Sequence, residues 1–217
     1  MEIWLDSAQV TSIQKFNSFN LLSGITTNPS LIACSGVLQE TLIEDLLAAS
    51  NLPLAIQVIS ESTSEMILQA QHLINISSRI IVKVPASLNG FQCMHALHQK
   101  SSIFLATAIF TPTQALLAFK AGASYLAPYI GRIEDQGDDP WKLLRQMLAL
   151  KRNYQFKGKI LAAGLRSLEH VENCLDLGIC SMTLREPLLD DYLIEPPGLI
   201  KALAAFANDL KKTNKGF

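Results

Sequence analysis

Residues 80–85 read Ile80-Ile81-Val82-Lys83-Val84-Pro85, a near-continuous apolar run interrupted by one lysine. Leu105-Ala106-Thr107-Ala108-Ile109-Phe110 has the same character. Such runs mark parallel strands covered on both faces, because a half-solvated strand would alternate apolar and polar residues. The pattern recurs along the chain. Strand-like segments fall at Glu2–Leu5, Gly24–Thr26, Leu54–Ile59, Ile80–Val84, Phe104–Ile109, Tyr125–Ala127, Lys159–Ala163 and Ser181–Leu184. Amphipathic stretches lie between them at Val37–Ala49, Glu61–Ile74, Phe91–Gln99, Pro112–Ala121, Pro140–Arg152 and Ser167–Leu177, and a last helix is expected from about Gly198 to Lys211. Eight strands alternating with helices in a chain of 217 residues fit a compact α/β fold, a (β/α)8 barrel with an extra C-terminal helix. An open doubly wound sheet fits the same alternation. However, no GxGxxG follows the first strand and no GxxxxGK[ST] occurs, so the usual nucleotide-binding versions lack their signature. No linker or charge block divides the sequence, and residues 1–217 read as a single domain.

The chain is 49% hydrophobic and 17% charged, enough apolar content for a large core, which excludes intrinsic disorder. Eighteen Lys and Arg against 19 Asp and Glu leave a net charge of −1, without the basic excess of a nucleic-acid or membrane-surface protein. The uncharged stretches Phe16–Gln39 and Ser101–Phe119 are broken by proline and rich in polar residues, so neither suits a membrane span. The N-terminus has no basic region and carries Glu2 and Asp6, unlike a signal peptide. Cys34, Cys93, Cys174 and Cys180 are scattered without a CxxC pair, so a reduced, cytoplasmic setting is expected, with Cys34 and Cys93 as small apolar fillers. His95 and His98 lie three apart on an expected helix, but no acidic or thiol partner has ligand spacing, and no metal site is expected. Asp138-Asp139 and Asp190-Asp191 read as loop or cap residues.

In a barrel the site lies at the C-terminal ends of the strands. Lys83 sits inside its strand, on the same face as Ile81. Burying an ammonium is costly, so burial yields a neutral amine, a Schiff-base nucleophile. The plainer alternative is a lysine tied in an ion pair or reaching solvent. Asp6 ends the first strand, either as a carboxylate that moves protons or as a helix N-cap. Thr26-Thr27-Asn28-Pro29-Ser30 follows the second strand. Asn28 there is an N-cap before Pro29 or a hydrogen-bond partner for a substrate hydroxyl, two tasks not easily served by one side chain. Gln57, Thr107 and Tyr129 place an amide and two hydroxyls late in three further strands. Each has a structural explanation alone, but six polar groups on six successive strand ends are explained more simply by one shared site. Arg132 and Arg166 follow adjacent late strands, where guanidinium forks suit a phosphate.

These segments, IWLDSA, GITTNPSLIA, AIQVIS, IVKVPAS, the stretch from Leu105 to Asp135, and ILAAGLRS, together resemble the small transaldolase and fructose-6-phosphate aldolase family over essentially the whole chain. The resemblance implies a (β/α)8 barrel and cofactor-free, metal-free class I aldolase chemistry on sugar phosphates and small ketones or aldehydes. It implies Lys83 as the Schiff-base lysine, Asp6 in proton transfer, and Gln57 and Thr107 in placing a catalytic water. It also implies Thr26 and Asn28 at the bound ketose and Arg132 and Arg166 at its phosphate. Transaldolases of the family typically carry Glu and Phe where this chain has Gln57 and Tyr129. The aldolase branch carries Gln and Tyr, and a phenol near the enamine could supply the proton that releases dihydroxyacetone. The expectation is therefore fructose 6-phosphate cleavage, with transaldolase transfer as the alternative. Gly164 replaces a serine usual in the family, and a barrel that binds a sugar phosphate without turnover is a third reading. Family members form pentameric rings or stacked pairs of rings, which implies a homo-oligomer. The apolar stripe Ile200, Leu203, Ala204, Phe206, Ala207 and Leu210 suits docking on a neighbour or on the chain's own barrel.

Overall fold

The computed structural model describes residues 1–97 and 103–212. Eight parallel strands close into a barrel in sequence order. They are β1 (Glu2–Asp6), β2 (Leu22–Thr26), β3 (Leu54–Gln57), β4 (Ile80–Pro85), β5 (Phe104–Ile109), β6 (Tyr125–Pro128), β7 (Lys159–Ala162) and β8 (Ser181–Leu184). The expected (β/α)8 barrel is the architecture observed, with β1 pairing to both β2 and β8 to complete the circle.

Helices cover the outside: α1 (Val10–Asn17), α2 (Pro29–Ser35), α3 (Gln39–Ala49), α4 (Thr63–Ile76), α5 (Leu88–Leu97), α6 (Pro112–Lys120), α7 (Ile130–Asp135), α8 (Pro140–Asn153), α9 (Leu168–Asp176) and α10 (Glu186–Tyr192). A final helix, α11 (Pro197–Lys212), follows the barrel. Local sequence starts several of these helices. Ser62, Thr111, Asp139 and Ser167 accept backbone N–H groups at the first turns of α4, α6, α8 and α9, and Pro112 and Pro140 pre-set the backbone at two of them. Asp139 is thus a cap, as read, whereas Asp190 and Asp191 lie inside α10, a correction to their loop-or-cap reading: Pro187 in the first turn starts that helix ahead of them, and Asp190 pairs with Lys15. The α1, α7 and α10 segments were not marked by the apolar pattern. They are short, and none carries a side-chain cap. The expected helix through Gln99 ends at Leu97 in the described region, and His98 and Gln99 lie outside the described residues.

Two apolar layers divide the core. The larger lies between strands and helices. The smaller fills the barrel interior with Trp4, Ala55, Ile81, Leu105, Ala127 and Leu161. Trp4 is 1% exposed and sits edge-on to Tyr125, their centroids 5.2 Å apart. Gly24, its register partner on β2, must be glycine, since a Cβ there would run into the indole ring. Cys93 and Cys174 are buried fillers, and burial pushes their thiols up to about 11 and about 12. Cys34 is exposed, a correction to its expected role: it lies on α2, which buries none of its residues.

Candidate active site

Side chains two residues apart on a strand share a face. The positions above the interior layer are therefore Asp6, Gln57, Lys83, Thr107 and Tyr129, with Thr26 above Gly24 and Thr183 level with Trp4. The sequence periodicity alone thus brings the candidate groups to one end of the barrel. A cavity of about 450 Å³ opens there, lined by Asp6, Asn28, Gln57, Lys83, Tyr129, Arg132, Gly164, Arg166 and Arg185.

Lys83 is 4% exposed and donates to the Thr27 carbonyl at 2.9 Å. Burial pushes its amine below the ordinary lysine range, Asp6 opposes that shift, and Arg132 adds to it. The partner that holds it is thus a neutral oxygen, not a carboxylate in contact. Gln57 is its register neighbour on β3, and the Gln57 Oε1 is buried without a partner among the described residues. A buried amide oxygen in that state has the capacity to accept from a water or a hydroxyl in the cavity.

Asp6 does not cap α1, whose N-cap position is Gln9. Its Oδ1 accepts from the Thr26 hydroxyl at 2.8 Å, and the Thr26 and Thr183 hydroxyls lie 2.7 Å apart. An ionised carboxylate only accepts, so the Thr26 proton points to Asp6 and the Thr183 proton to Thr26. This relay orients the carboxylate. Thr26 is 1% exposed and does not line the cavity, which corrects its expected place among groups that touch a ligand. Thr183 was missed by sequence reading, since a threonine in a strand gives no sign of a hydroxyl partner 157 residues away.

Of the two alternatives for Asn28, the structure shows the cap. Its oxygen accepts from Leu31 N at 3.0 Å as the α2 cap, while the side chain lines the cavity and its NH₂ donates to no described residue. Thr107 is fully buried and donates to the Tyr129 hydroxyl at 2.8 Å. Burial pushes the Tyr129 phenol above its ordinary value, the Thr107 bond and Arg132 counter that, and the group stays protonated at neutral pH. Because its oxygen accepts from Thr107, its own proton is available to the cavity. Phe110 holds the ring edge-on at 6.0 Å. Between Ala106 and Ile109 the β5–β6 register slips, and Ala108, which lines the cavity, has φ 56. This irregularity sits beside Thr107 at the strand end and leaves no trace in the apolar pattern.

Arg132 stacks on Tyr129, its guanidinium carbon 4.9 Å from the ring centroid. Arg166 forms a fork with Asp135 at 2.7 and 2.6 Å. A Cβ on Gly131 would collide with the Arg166 guanidinium, so that glycine leaves room for the arginine. Gly164 has φ +71, a conformation in which a serine would be strained. Arg185, also unmarked by sequence reading, follows β8 and lies 3.7 Å from Asp6. Among the described residues, no group of three or more His, Cys, Asp or Glu could hold a metal ion, and no helix is long and apolar enough to cross a membrane.

Residues 3–215 match the family model for transaldolase/fructose-6-phosphate aldolase. A probable transaldolase of Streptococcus equi subsp. equi is 34% identical over 209 residues, covering 96% of this chain and 97% of that protein. A probable transaldolase of Maridesulfovibrio salexigens is 34% identical over 215 residues, covering 99% and 100%. A probable transaldolase of Cereibacter sphaeroides is 35% identical over 207 residues, covering 94% and 88%. Among solved structures, the N-acetylmannosamine-6-phosphate 2-epimerase from Clostridium perfringens superposes with a TM-score of 0.61 at 13% identity, over 94% of this chain and 93% of that one, a likeness of fold.

Proposed function

The chain belongs to the transaldolase/fructose-6-phosphate aldolase family, and from that membership we propose that it cleaves a ketose phosphate between C3 and C4 through a Schiff base on Lys83 and passes the three-carbon unit to an aldose phosphate. The observation that carries this reading is the lysine itself: 4% exposed, in a cavity at the strand ends, with an amine pushed toward its neutral form. A neutral amine adds to the C2 carbonyl and expels water, leaving an iminium. Removal of the C4 hydroxyl proton then breaks the C3–C4 bond. Its electrons flow to the iminium nitrogen, giving an enamine on Lys83 and a free aldehyde. Asp6, oriented by Thr26, is the group proposed to move that proton, directly or through a water held at Gln57, while Thr107, outside the cavity lining, acts by holding the Tyr129 hydroxyl. The Asn28 NH₂ suits a ketose hydroxyl, and Arg132 and Arg166 suit the phosphate.

Transfer to an aldose is supported by the relatives, which are named probable transaldolases. The second reading, release of dihydroxyacetone after protonation of the enamine, is favoured by the Tyr129 phenol, which lines the cavity, keeps its proton and has not committed it to Thr107. Assembly into a homo-oligomer through α11 and a cytoplasmic setting complete the proposal.

The test is release of glyceraldehyde 3-phosphate from fructose 6-phosphate, with and without erythrose 4-phosphate, alongside borohydride trapping. Multiple turnovers that require the acceptor support transfer. Sustained release without it supports the aldolase reading. Absence of a ketose-dependent adduct that Lys83→Ala abolishes would sink both.

A further inference from the structure

Three arginines follow three consecutive strands on one side of the mouth, Arg132 after β6, Arg166 after β7 and Arg185 after β8, and all three line the cavity. They are not equivalent. The Arg166 fork is closed on Asp135, and Arg132 lies over the Tyr129 ring. The Arg185 side chain is 64% exposed, and its nearest approach to Asp6 is that of Nε, at 3.7 Å, beyond the 2.7–2.9 Å typical of a charge-assisted hydrogen bond. Its terminal nitrogens donate to no described residue. Asp6 is already held from the other side by Thr26, so its position does not depend on Arg185.

We propose that Arg185 is a specificity-determining residue that closes on the phosphate of the substrate, exchanging its loose contact with Asp6 for a forked one with phosphate oxygens. The inference rests on the Schiff-base reading above for where the substrate lies. A ligand anchored at Lys83 on β4 extends across the barrel mouth toward the opposite rim, where β8 stands between Arg166 and Asp6. A planar fork with free donors matches a phosphate dianion, and an uncharged sugar gives it nothing comparable. Arg166 must share its fork with Asp135 to bind the same anion, whereas Arg185 gives up only a long approach to Asp6.

The experiment compares the wild type, Arg185→Gln and Arg185→Lys in two ways. Calorimetric titration with inorganic phosphate reads anion binding without turnover. The ratio of kcat/KM for fructose 6-phosphate to that for unphosphorylated fructose reads specificity. Arg185→Gln is expected to weaken phosphate binding and to lower that ratio, each by about tenfold, the loss of one charged hydrogen-bonding partner. The change in ratio is expected in KM, with Arg185→Lys recovering part of both. No phosphate binding by the wild type, or equal binding and an equal ratio in Arg185→Gln, would overturn the proposal. Arg185→Lys carries the same test if the glutamine variant fails to fold, since a lysine that matches the wild type in both readouts shows that no fork is used. A protein whose phosphate binding depends on Arg185 but that forms no adduct on Lys83 would overturn the Schiff-base reading while leaving the anion contact standing.

Discussion

Lys83 owes its proposed chemistry to opposing neighbours. Burial lowers its pKa, Arg132 lowers it further, and Asp6 raises it. Activity that needs the neutral amine is lost as pH falls through that value, so kcat/KM should have an acid limb below the ordinary lysine range. Removing the repulsion with Arg132→Gln raises the pKa and should move the limb to higher pH. Removing the attraction with Asp6→Asn lowers it and should move the limb of the residual activity to lower pH. Shifts in the same direction would show that the limb belongs to another group. Tyr129 supports a second test. Its phenol is kept protonated by burial and has its oxygen occupied by Thr107. Tyr129→Phe should depress acceptor-independent release by about 10²-fold or more, the usual worth of a positioned general acid, while sparing transfer to erythrose 4-phosphate. Equal loss of both activities would assign the hydroxyl to cleavage instead.

The β2–α2 junction places two functions on one amide, and substitution can separate them. The Asn28 oxygen caps α2, the residue lines the cavity, and its NH₂ is proposed to serve the ketose. Asn28→Asp keeps the cap and removes the donor, so thermal unfolding should stay near the wild type while the KM for ketose rises. Asn28→Ala should add a stability loss of about 1 kcal/mol, the cost of a lost cap. A melting temperature that falls as far for Asp as for Ala would reject this division of labour. How much of this was legible in the sequence follows from the range of each signal. The strands of the barrel were legible because residues such as Ile80–Val84 are apolar on both faces, a local property. The candidate groups were legible as polar residues breaking such runs at strand ends. What was not legible depends on contacts between distant residues. The Thr183–Thr26–Asp6 chain, the Asp135 fork on Arg166 and the approach of Arg185 to Asp6 all join separate strand ends. The slip at Ala108 is set by the fit of β5 to β6 and not by composition.

The barrel leaves α11 unaccounted for by its own core. Of the two uses expected for its stripe, packing on the chain's own barrel does not fit, because Ile200, Leu203 and Phe206 are 53%, 49% and 63% exposed. Three large side chains at helical spacing form one apolar face, and leaving such a face in water forgoes about 25 cal/mol for each Å² that burial would remove. The proposed homo-oligomer gives that face a partner in a neighbouring copy. Light scattering should then report a mass well above the 23.8 kDa of one chain. Leu203→Glu with Phe206→Glu should shift the mass toward one chain, because two carboxylates would have to be desolvated in the same interface. The barrel should stay folded in this variant, since neither side chain belongs to the buried core. Circular dichroism of the dissociated protein distinguishes that result from unfolding. A wild type that runs as a single chain, or a double variant whose mass is unchanged, would remove α11 from assembly. Arg185 and the rest of the rim lie on the barrel, so Schiff-base trapping on Lys83 should survive the dissociation.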